Sequence, residues 1–383
     1  MNRQSSRHLI GEPRKHCLPG MQCQKARHCN SSGPKSTPKN VIIQPFSALF
    51  PAPILMLVYR GFTRPAPKAT VLTIGNFDGV HRGHRALLAR LKDTATQADL
   101  LPAVLTFEPH PREFFVPESA PARLSTLREK LELMADEGVE LACVGHFNAR
   151  FAALSAEDFI ERILIATLRV KHLIIGDDFC FGADRRGNFT MLCEAGQRAG
   201  FQVDTVSSVM VGDERVSSSG VRAALTEGRL DHAAVLLGRP YSIDGRVVHG
   251  KKMGRQLGFP TANIRIKHVK PPLTGVFAVE VGGLSGGLHH GVANLGIRPS
   301  VNELPRPLLE VHLFDFSDDI YGTHLNVRFL HKLRSETRFP NLDALKAQIA
   351  RDCEVARAWI AGNARVEAGG ASAVGSTGAR SAR

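Results

Sequence analysis

Aromatic residues are scarce in this chain of 383 residues: they make up 6%, with one tryptophan and three tyrosines. Residues 1–45 contain no Phe, Trp or Tyr at all. A single-stranded nucleic-acid platform needs rings between its basic residues, so this basic arm lacks half of that chemistry. Long apolar runs are missing too. The longest near the start, Phe50–Tyr59, is broken by Pro51 and Pro53, and a membrane span needs about 20 apolar residues. The basic start is too long, and the apolar stretch too far along, for a secretory leader. The expected location is therefore cytoplasmic, with no membrane partner. The seven cysteines contain no Cys-x-x-Cys pair. Cys17, Cys23 and Cys29, interleaved with His16 and His28, are poorly spaced for zinc. Cys143, Cys180, Cys193 and Cys353 are scattered as inert thiols usually are, so no disulfide framework is implied. No Gly-Lys-Ser/Thr follows the glycine-rich turns, which excludes a P-loop lysine.

What is present begins with charge. The net charge is +13, but residues 1–55 carry eight Lys/Arg against Glu12, and residues 362–383 carry three arginines against Glu367. Subtracting both tails leaves about +4 for the body, an excess that suits small phosphate-bearing substrates as well as a polymer. Residues 1–55 lack any hydrophobic period and read as a disordered basic extension, either a functional arm or a start-site artefact ahead of Met56. The Ala/Gly/Ser-rich residues 362–383 read as a disordered tail.

Between the tails the grammar changes once. From Ala69 to about Leu237, short apolar strands alternate with helical spacing: strand Thr70–Ile74, helix His84–Leu100, strand Pro102–Phe107, strand Val139–Val144, strand Val170–Ile175 and strand Val203–Val209. Thr126 and Glu129 form a capping box, with Gly138 placed to stop its helix. Alternation of this kind predicts a Rossmann-like parallel sheet with helices on both faces. From Arg239, short strands separated by Pro and Gly turns predict an antiparallel β-barrel or sandwich, closed by an amphipathic helix near Leu342–Ile360. The expected domains are 56–237 and 238–361.

Two stretches carry chemistry. Gly75-Asn-Phe-Asp-Gly-Val-His-Arg-Gly-His84 occupies the turn after the first strand of the parallel sheet, where such folds bind ligands. Gly75 and Gly79 permit close approach of a phosphate, helix amides near Gly83–Arg85 point at an anion, and His81 and His84 share a face. Imidazoles there can stabilise charge on an α-phosphate and its leaving pyrophosphate. In the second half, Gly250, Gly254 and Gly258 alternate with Lys251, Lys252 and Arg255, a basic glycine-rich turn that is equally at home as a surface hairpin. Thr261 and Asn263 lie two apart and face one way in an extended segment, as a magnesium site of neutral oxygens would require. In Leu309–Leu313, alternation puts Glu310 and His312 on the face opposite Leu309 and Val311.

The string Ile74–His84 resembles the bacterial bifunctional riboflavin kinase/FAD synthetase family, and His-Arg-Gly-His matches the nucleotidyltransferase His-x-Gly-His signature. Ile175–Gly182, Glu214–Arg222 and the Pro260-Thr-Ala-Asn263 string are similar to further segments of that family. The resemblance spans about 56–360. It implies that His81 and His84 act in catalysis and that Gly75, Asn76, Phe77, Asp78, Asp178, Arg215, Ser217, Ser218 and Arg222 contact ATP or flavin. Thr106–Pro111 would then wall the flavin. Asp178 is Asn in some relatives, and Ser219-Gly220 stand where Thr and a varied residue are commoner. In the kinase half, it implies that Gly250, Lys251, Gly254, Thr261 and Asn263 bind ATP, with Thr261 and Asn263 holding Mg²⁺ and Glu310 as catalytic base. The implied function is phosphorylation of riboflavin to FMN, then adenylylation of FMN to FAD. The enzyme would work as a monomer or weak homo-oligomer without nucleic acid. Two rivals stay open: adenylylation of another acceptor such as nicotinamide mononucleotide or phosphopantetheine, and RNA binding through the basic arm. Asp177-Asp178 as a turn, Ser217–Ser219 as a helix cap and Glu310 as a solvated strand residue are the plain structural readings of the same residues.

Overall fold

The computed structural model describes residues 41–43, 56–250, 253–298 and 306–372. The expectations for Cys17, Cys23, Cys29 and Lys251 lie outside the described residues. The first half contains strands β1 (Val41–Ile43), β2 (Met56–Arg60), β3 (Thr70–Ile74), β4 (Leu101–Glu108), β5 (Leu141–His146), β6 (Val170–Gly176) and β7 (Gln202–Val206). They form one sheet in the order β1-β2-β5-β4-β3-β6-β7, parallel except for the β1–β2 pair. A small hairpin follows, β8 (Met210–Val211) with β9 (Glu214–Arg215). The strand β1 falls inside a segment expected to be structureless. Its β-branched Val41-Ile42-Ile43 offers good strand propensity, and β2 leaves an open edge for it to pair with.

β3 sits centrally between β4 and β6, and all five of its residues are buried. Layers on both faces explain why it reads as a continuous apolar run rather than an alternation. Helix α1 (Arg82–Ala98) buries Leu88, Leu91 and Ala95, one stripe at helical spacing, and stops at Asp99 in a left-handed conformation. Helix α2 (Leu127–Asp136) starts on the Thr126/Glu129 capping box as the sequence predicts. The strand expected to reach Val209 ends at Val206, because its partner β6 ends at Gly176 and offers no further ladder.

Helices α3 (Ser218–Thr226) and α4 (Leu230–Leu237) lead to the second half. There β10 (Tyr241–Val248), β11 (Ala262–Arg265), β12 (Gly275–Leu284), β13 (Gly287–Arg298), β14 (Arg306–Leu313) and β15 (His324–Arg334) close an antiparallel barrel in the order β10-β11-β14-β13-β12-β15. Val221, Leu225, Leu236 and Leu237 from α3 and α4 pack in the same apolar cluster as Tyr241, Phe277 and Phe329 of the barrel. The terminal helix α5 (Leu342–Ser372) runs beyond Ile360 into the expected tail. Ala361–Ala368 contain no Pro and one Gly, so nothing breaks the helix there. On its inner face Ala356 and Cys353 meet Val276, Ala278 and Val292 on the barrel exterior.

Candidate active sites

The first site is the turn between β3 and α1. Three of its residues are left-handed: Phe77 (φ 49°), Gly79 (φ 81°) and Val80 (φ 39°). Two of them bear side chains, so the turn is strained and must be held by its surroundings. Phe77 and Val80 are fully buried and anchor it as apolar wedges. Asp78 is buried as well. Its carboxylate accepts the backbone N–H groups of Leu124 (3.1 Å) and Ser125 (3.0 Å), the Ser125 hydroxyl (3.2 Å), and Nη2 of Arg222 (2.5 Å). Arg222 also donates through Nε to the Ala122 carbonyl at 2.6 Å, and the Ser218 hydroxyl donates to the Asp78 carbonyl at 2.9 Å. Asp78, Ser218 and Arg222 thus brace the turn against the start of α3.

Ser217 caps α3, its hydroxyl accepting the Gly220 N–H at 3.1 Å, so the cap reading of this serine cluster holds. A capped helix start remains an anion site. Arg215, half exposed, stands 3.4 Å from Asp178 and 3.6 Å from Asp177. The Asn76 carbonyl accepts the Thr106 hydroxyl at 3.3 Å, and the Gly75 N–H donates to the Leu105 carbonyl at 3.0 Å, tying the turn to the end of β4.

His81 and His84 stack with ring centroids 3.7 Å apart. His81 caps α1: its Nδ1 accepts the His84 N–H at 3.3 Å, and its carbonyl accepts the Arg85 N–H at 2.9 Å. Of the amides expected to face an anion, two are therefore occupied by His81. An acceptor Nδ1 places the proton of neutral His81 on Nε2. Burial pulls the His81 pKa down to about 4, with Asp78 opposing and Arg239 and Arg222 adding to the shift. Burial, then the neighbouring His81, holds His84 well below the ordinary histidine range. Both rings are neutral near pH 7, so each carries one ring N–H available as a hydrogen-bond donor and neither is a fixed cation.

Sequence reading passed over several groups around this turn. Arg239 donates to the carbonyls of Gly79 (2.7 Å) and Val80 (2.9 Å). Lys130 of α2 is buried, and burial lowers its pKa while Asp78 and Glu108 oppose. Arg123 links Glu108 (2.7 Å) to Glu113. Nothing marks these in the sequence: α2 also carries Arg128, Glu129, Glu132 and Asp136, so Lys130 does not stand out there, and Arg239 shows only as part of the Gly-Arg-Pro link between the halves. Their partners lie far along the chain.

The second site is on the barrel. Asn263 of β11 is paired with Glu310 of β14, and Glu310 with Asn294 of β13. Residues directly opposite in neighbouring strands share a face, so the three polar side chains form a row. Leu309 and Val311 point into the barrel core and are buried, as alternation predicts. The row lines a cavity of about 370 Å³ together with Thr261, His312 and Arg334. The Asn294 amide oxygen is buried there without a hydrogen-bond partner among the described residues, a group that a bound polar ligand would satisfy. Arg334 and Asp352 of α5 pair at 2.8 Å and close one wall. A second cavity of about 330 Å³ is lined by Arg255, Pro260, Asp318, Asp319 and Tyr321, and Thr261 lines both. Gly250 stands so close to the Asn263 amide that a Cβ would collide with it, and a Cβ on Gly254 would strike the Phe259 carbonyl. Both glycines are required by close approach rather than by φ.

A sheet turn carrying a stacked histidine pair and a barrel with its own polar cavity give the chain two separate candidate sites. Residues 63–220 match the FAD synthetase family and residues 237–360 the riboflavin kinase family. The bifunctional riboflavin kinase/FMN adenylyltransferase of Haemophilus influenzae is 50% identical over 289 residues, covering 76% of this chain and 94% of that protein. Its counterpart in Escherichia coli K12 is 50% identical over 290 residues, covering 76% and 92%. Among solved structures, a Streptococcus pneumoniae protein described as a macrolide-efflux protein aligns with a TM-score of 0.69 at 29% identity, covering 78% of this chain and 98% of that one. No helix among the described residues of the present chain is long and apolar enough to cross a membrane. The chain belongs to the bifunctional riboflavin kinase/FMN adenylyltransferase family. A single-activity adenylyltransferase and a purely RNA-binding protein are thereby set aside.

Proposed function

We propose that the two activities are divided between the two sites, with FMN adenylylation in residues 56–237 and riboflavin phosphorylation in residues 238–361. The observation that carries the second assignment is the Asn263–Glu310–Asn294 row facing a cavity, beside a second cavity that shares Thr261. Riboflavin occupies the first cavity, with its ribityl end toward Glu310, and ATP the second. The Glu310 carboxylate takes the proton of the 5′-hydroxyl as its oxygen bonds the γ-phosphorus. The bond from that phosphorus to the β–γ bridging oxygen breaks, and ADP leaves. Gly250 and Gly254 let the backbone close over the phosphates, with Lys251 supplying charge. Thr261 and Asn263 fit Mg²⁺: they offer neutral oxygens of the hard kind it prefers, beside a carboxylate. Among the described residues no group of three His, Cys, Asp or Glu could hold a metal by itself, so nucleotide phosphates and water would complete the shell. When bound, the ion would neutralise charge on the β- and γ-phosphates.

In the first site an FMN phosphate oxygen attacks the α-phosphorus of ATP and pyrophosphate leaves. The nucleophile is already anionic, so positioning and charge stabilisation do the chemistry. His81 and His84 donate to the reacting phosphates, and Gly75, Asn76, Phe77 and Asp78 shape their cradle. Arg215, Asp178 and the capped helix start at Ser217 and Ser218 receive the rest of the nucleotide. Arg222 acts here through Asp78. The flavin ring is supported by an aromatic patch beside Thr106–Pro111, where Phe115 is 63% exposed and Phe114 and Phe115 meet Phe147 edge-on at 5.7 and 5.5 Å. The enzyme is proposed to act in the cytoplasm as a monomer or weak homo-oligomer, without nucleic acid or membrane.

Incubation with riboflavin, ATP and Mg²⁺, followed by chromatography of the flavins, tests the division. His84→Ala should stop FAD while leaving FMN formation. Asn263→Ala should stop FMN formation while FAD still forms from supplied FMN. Loss of FMN formation from riboflavin in His84→Ala, or of FAD formation from supplied FMN in Asn263→Ala, with the fold intact, would sink the assignment.

A further inference from the structure

Helix α4 ends at Gly238, which is left-handed (φ 77°) and returns its N–H to the Ala234 carbonyl at 2.7 Å. That turn sends the next residue, Arg239, back to the α/β half before Tyr241 opens the barrel. Its guanidinium bridges two consecutive carbonyls, Nη2 to Gly79 at 2.7 Å and Nη1 to Val80 at 2.9 Å. These are the two peptides that immediately precede His81, in the turn where Phe77, Gly79 and Val80 all have positive φ. The link is clamped from the other side too. Arg85, one residue past His84, donates to the Gly238 carbonyl at 3.3 Å and to Glu137 at 2.6 Å. The Arg85 and Arg82 side chains lie directly against Gly238, where a Cβ would meet Arg85 Nη1 at 2.8 Å.

We infer that Arg239 is a positioning residue for adenylyl transfer: it holds the strained turn that aims His81 and, through the ring stack, His84. The inference rests on the reading of that turn as the adenylylation site. The planar fork suits the task, because it presents two donors at a fixed separation to two carbonyls. Turns of this kind persist only where neighbours over-determine them, and Arg239 supplies two of the few bonds to their carbonyls. Its charge also bears on both imidazoles, disfavouring their protonation. Burial lowers its own pKa to about 10, so it stays charged at neutral pH. The residue that begins the kinase half is therefore part of the adenylylation machinery.

Full-length Arg239→Ala, Arg239→Lys and His84→Ala test this, with FAD formation from FMN and FMN formation from riboflavin measured on the same preparations. Arg239→Ala should lower kcat for FAD formation by about 100-fold, with KM for ATP and FMN within about threefold and riboflavin phosphorylation within about twofold. Millimolar guanidinium should restore at least about tenfold of the lost rate, which a defect of folding would not allow. Arg239→Lys, which keeps the charge but has no fork, should fall between the two. FAD formation within about threefold of wild type in Arg239→Ala would overturn the inference, as would raised KM with unchanged kcat. Parallel loss of both activities in Arg239→Lys would also overturn it, because the role would then be structural alone. His84→Ala separates the layers: if it retains FAD formation, the site reading fails whatever Arg239 does.

Discussion

Asp78 and Glu310 are both single carboxylates on motif strings, and their surroundings give them opposite tasks. Asp78 accepts two backbone amides, a hydroxyl and Arg222 in a buried pocket. A carboxylate so occupied builds a site rather than reacts in it. Asp78→Ala would leave the partly buried Arg222 without its carboxylate partner while its bond to the Ala122 carbonyl remains, so the cost should fall below the about 3–5 kcal/mol typical of a fully buried broken pair. Chemical denaturation should show a lower midpoint, and an unchanged midpoint would mean that the pair is dispensable. Glu310 stands on a face lining a cavity. Glu310→Gln should lower kcat for FMN formation by about 10²–10⁴ while riboflavin still binds, as fluorescence titration would show. Equal loss of binding would make it a ligand contact instead. The sequence marked both residues through their motifs and could not separate these roles. The partners of Asp78 lie 46 and 144 positions away, and no local pattern encodes such distances.

At the scale of elements, local signals were read well where local physics decides. The Thr126/Glu129 capping box, the Ser217 cap and the alternation of Leu309–Leu313 all appear as expected, because each is settled within a few residues. Strand ends were read less well. β7 stops where β6 stops, and β1 forms because β2 has an open edge; both facts belong to the partner strand. The same distinction explains Glu129. It was predicted as a helix cap, and its Oε2 does accept the Thr126 N–H at 2.6 Å. Its other oxygen accepts the Asp244 N–H of β10 at 2.7 Å, so the cap of α2 also ties the sheet half to the barrel. Burial raises the Glu129 pKa despite those bonds. Glu129→Ala should release both donors at once and lower the melting temperature of the whole chain by more than the roughly two degrees that a simple cap loss of about 1 kcal/mol would bring in a chain of this size. Calorimetry checks this, and a shift no larger than for the Ser217→Ala cap variant would show that the tie to the barrel is energetically idle.

For the whole molecule, the buried ionisable groups fall into two sets that respond to acid in opposite senses. His81 and His110 are drawn down to about 4 by burial, and His84 and His268 are lowered by burial as well. Between about pH 6.5 and 4 the unfolded chain binds protons at His81 and His110 that the folded chain refuses, and His84 and His268 act in the same sense below 6.5. Their contribution is full above 6.5 and lost as the pH falls through that window. Asp244 moves the other way: burial, then Glu129, raises it to about 6. From about pH 4 to 6 the folded chain holds a proton there that the unfolded chain has released, so this contribution is present in acid and lost as the pH rises through 6. The wild-type profile is a difference of the two sets, and variants resolve it. His81→Gln should flatten the fall in melting temperature between pH 6.5 and 4. Asp244→Asn should gain most over wild type at pH 7 and least at pH 4, since it removes a charge that is buried only at the higher pH. Melting curves that shift in parallel for either variant at every pH would show that its group titrates alike in the folded and unfolded chain. The sequence places His81 and His84 on a motif string, but the burial that sets the signs of all five groups arises only from partners far along the chain.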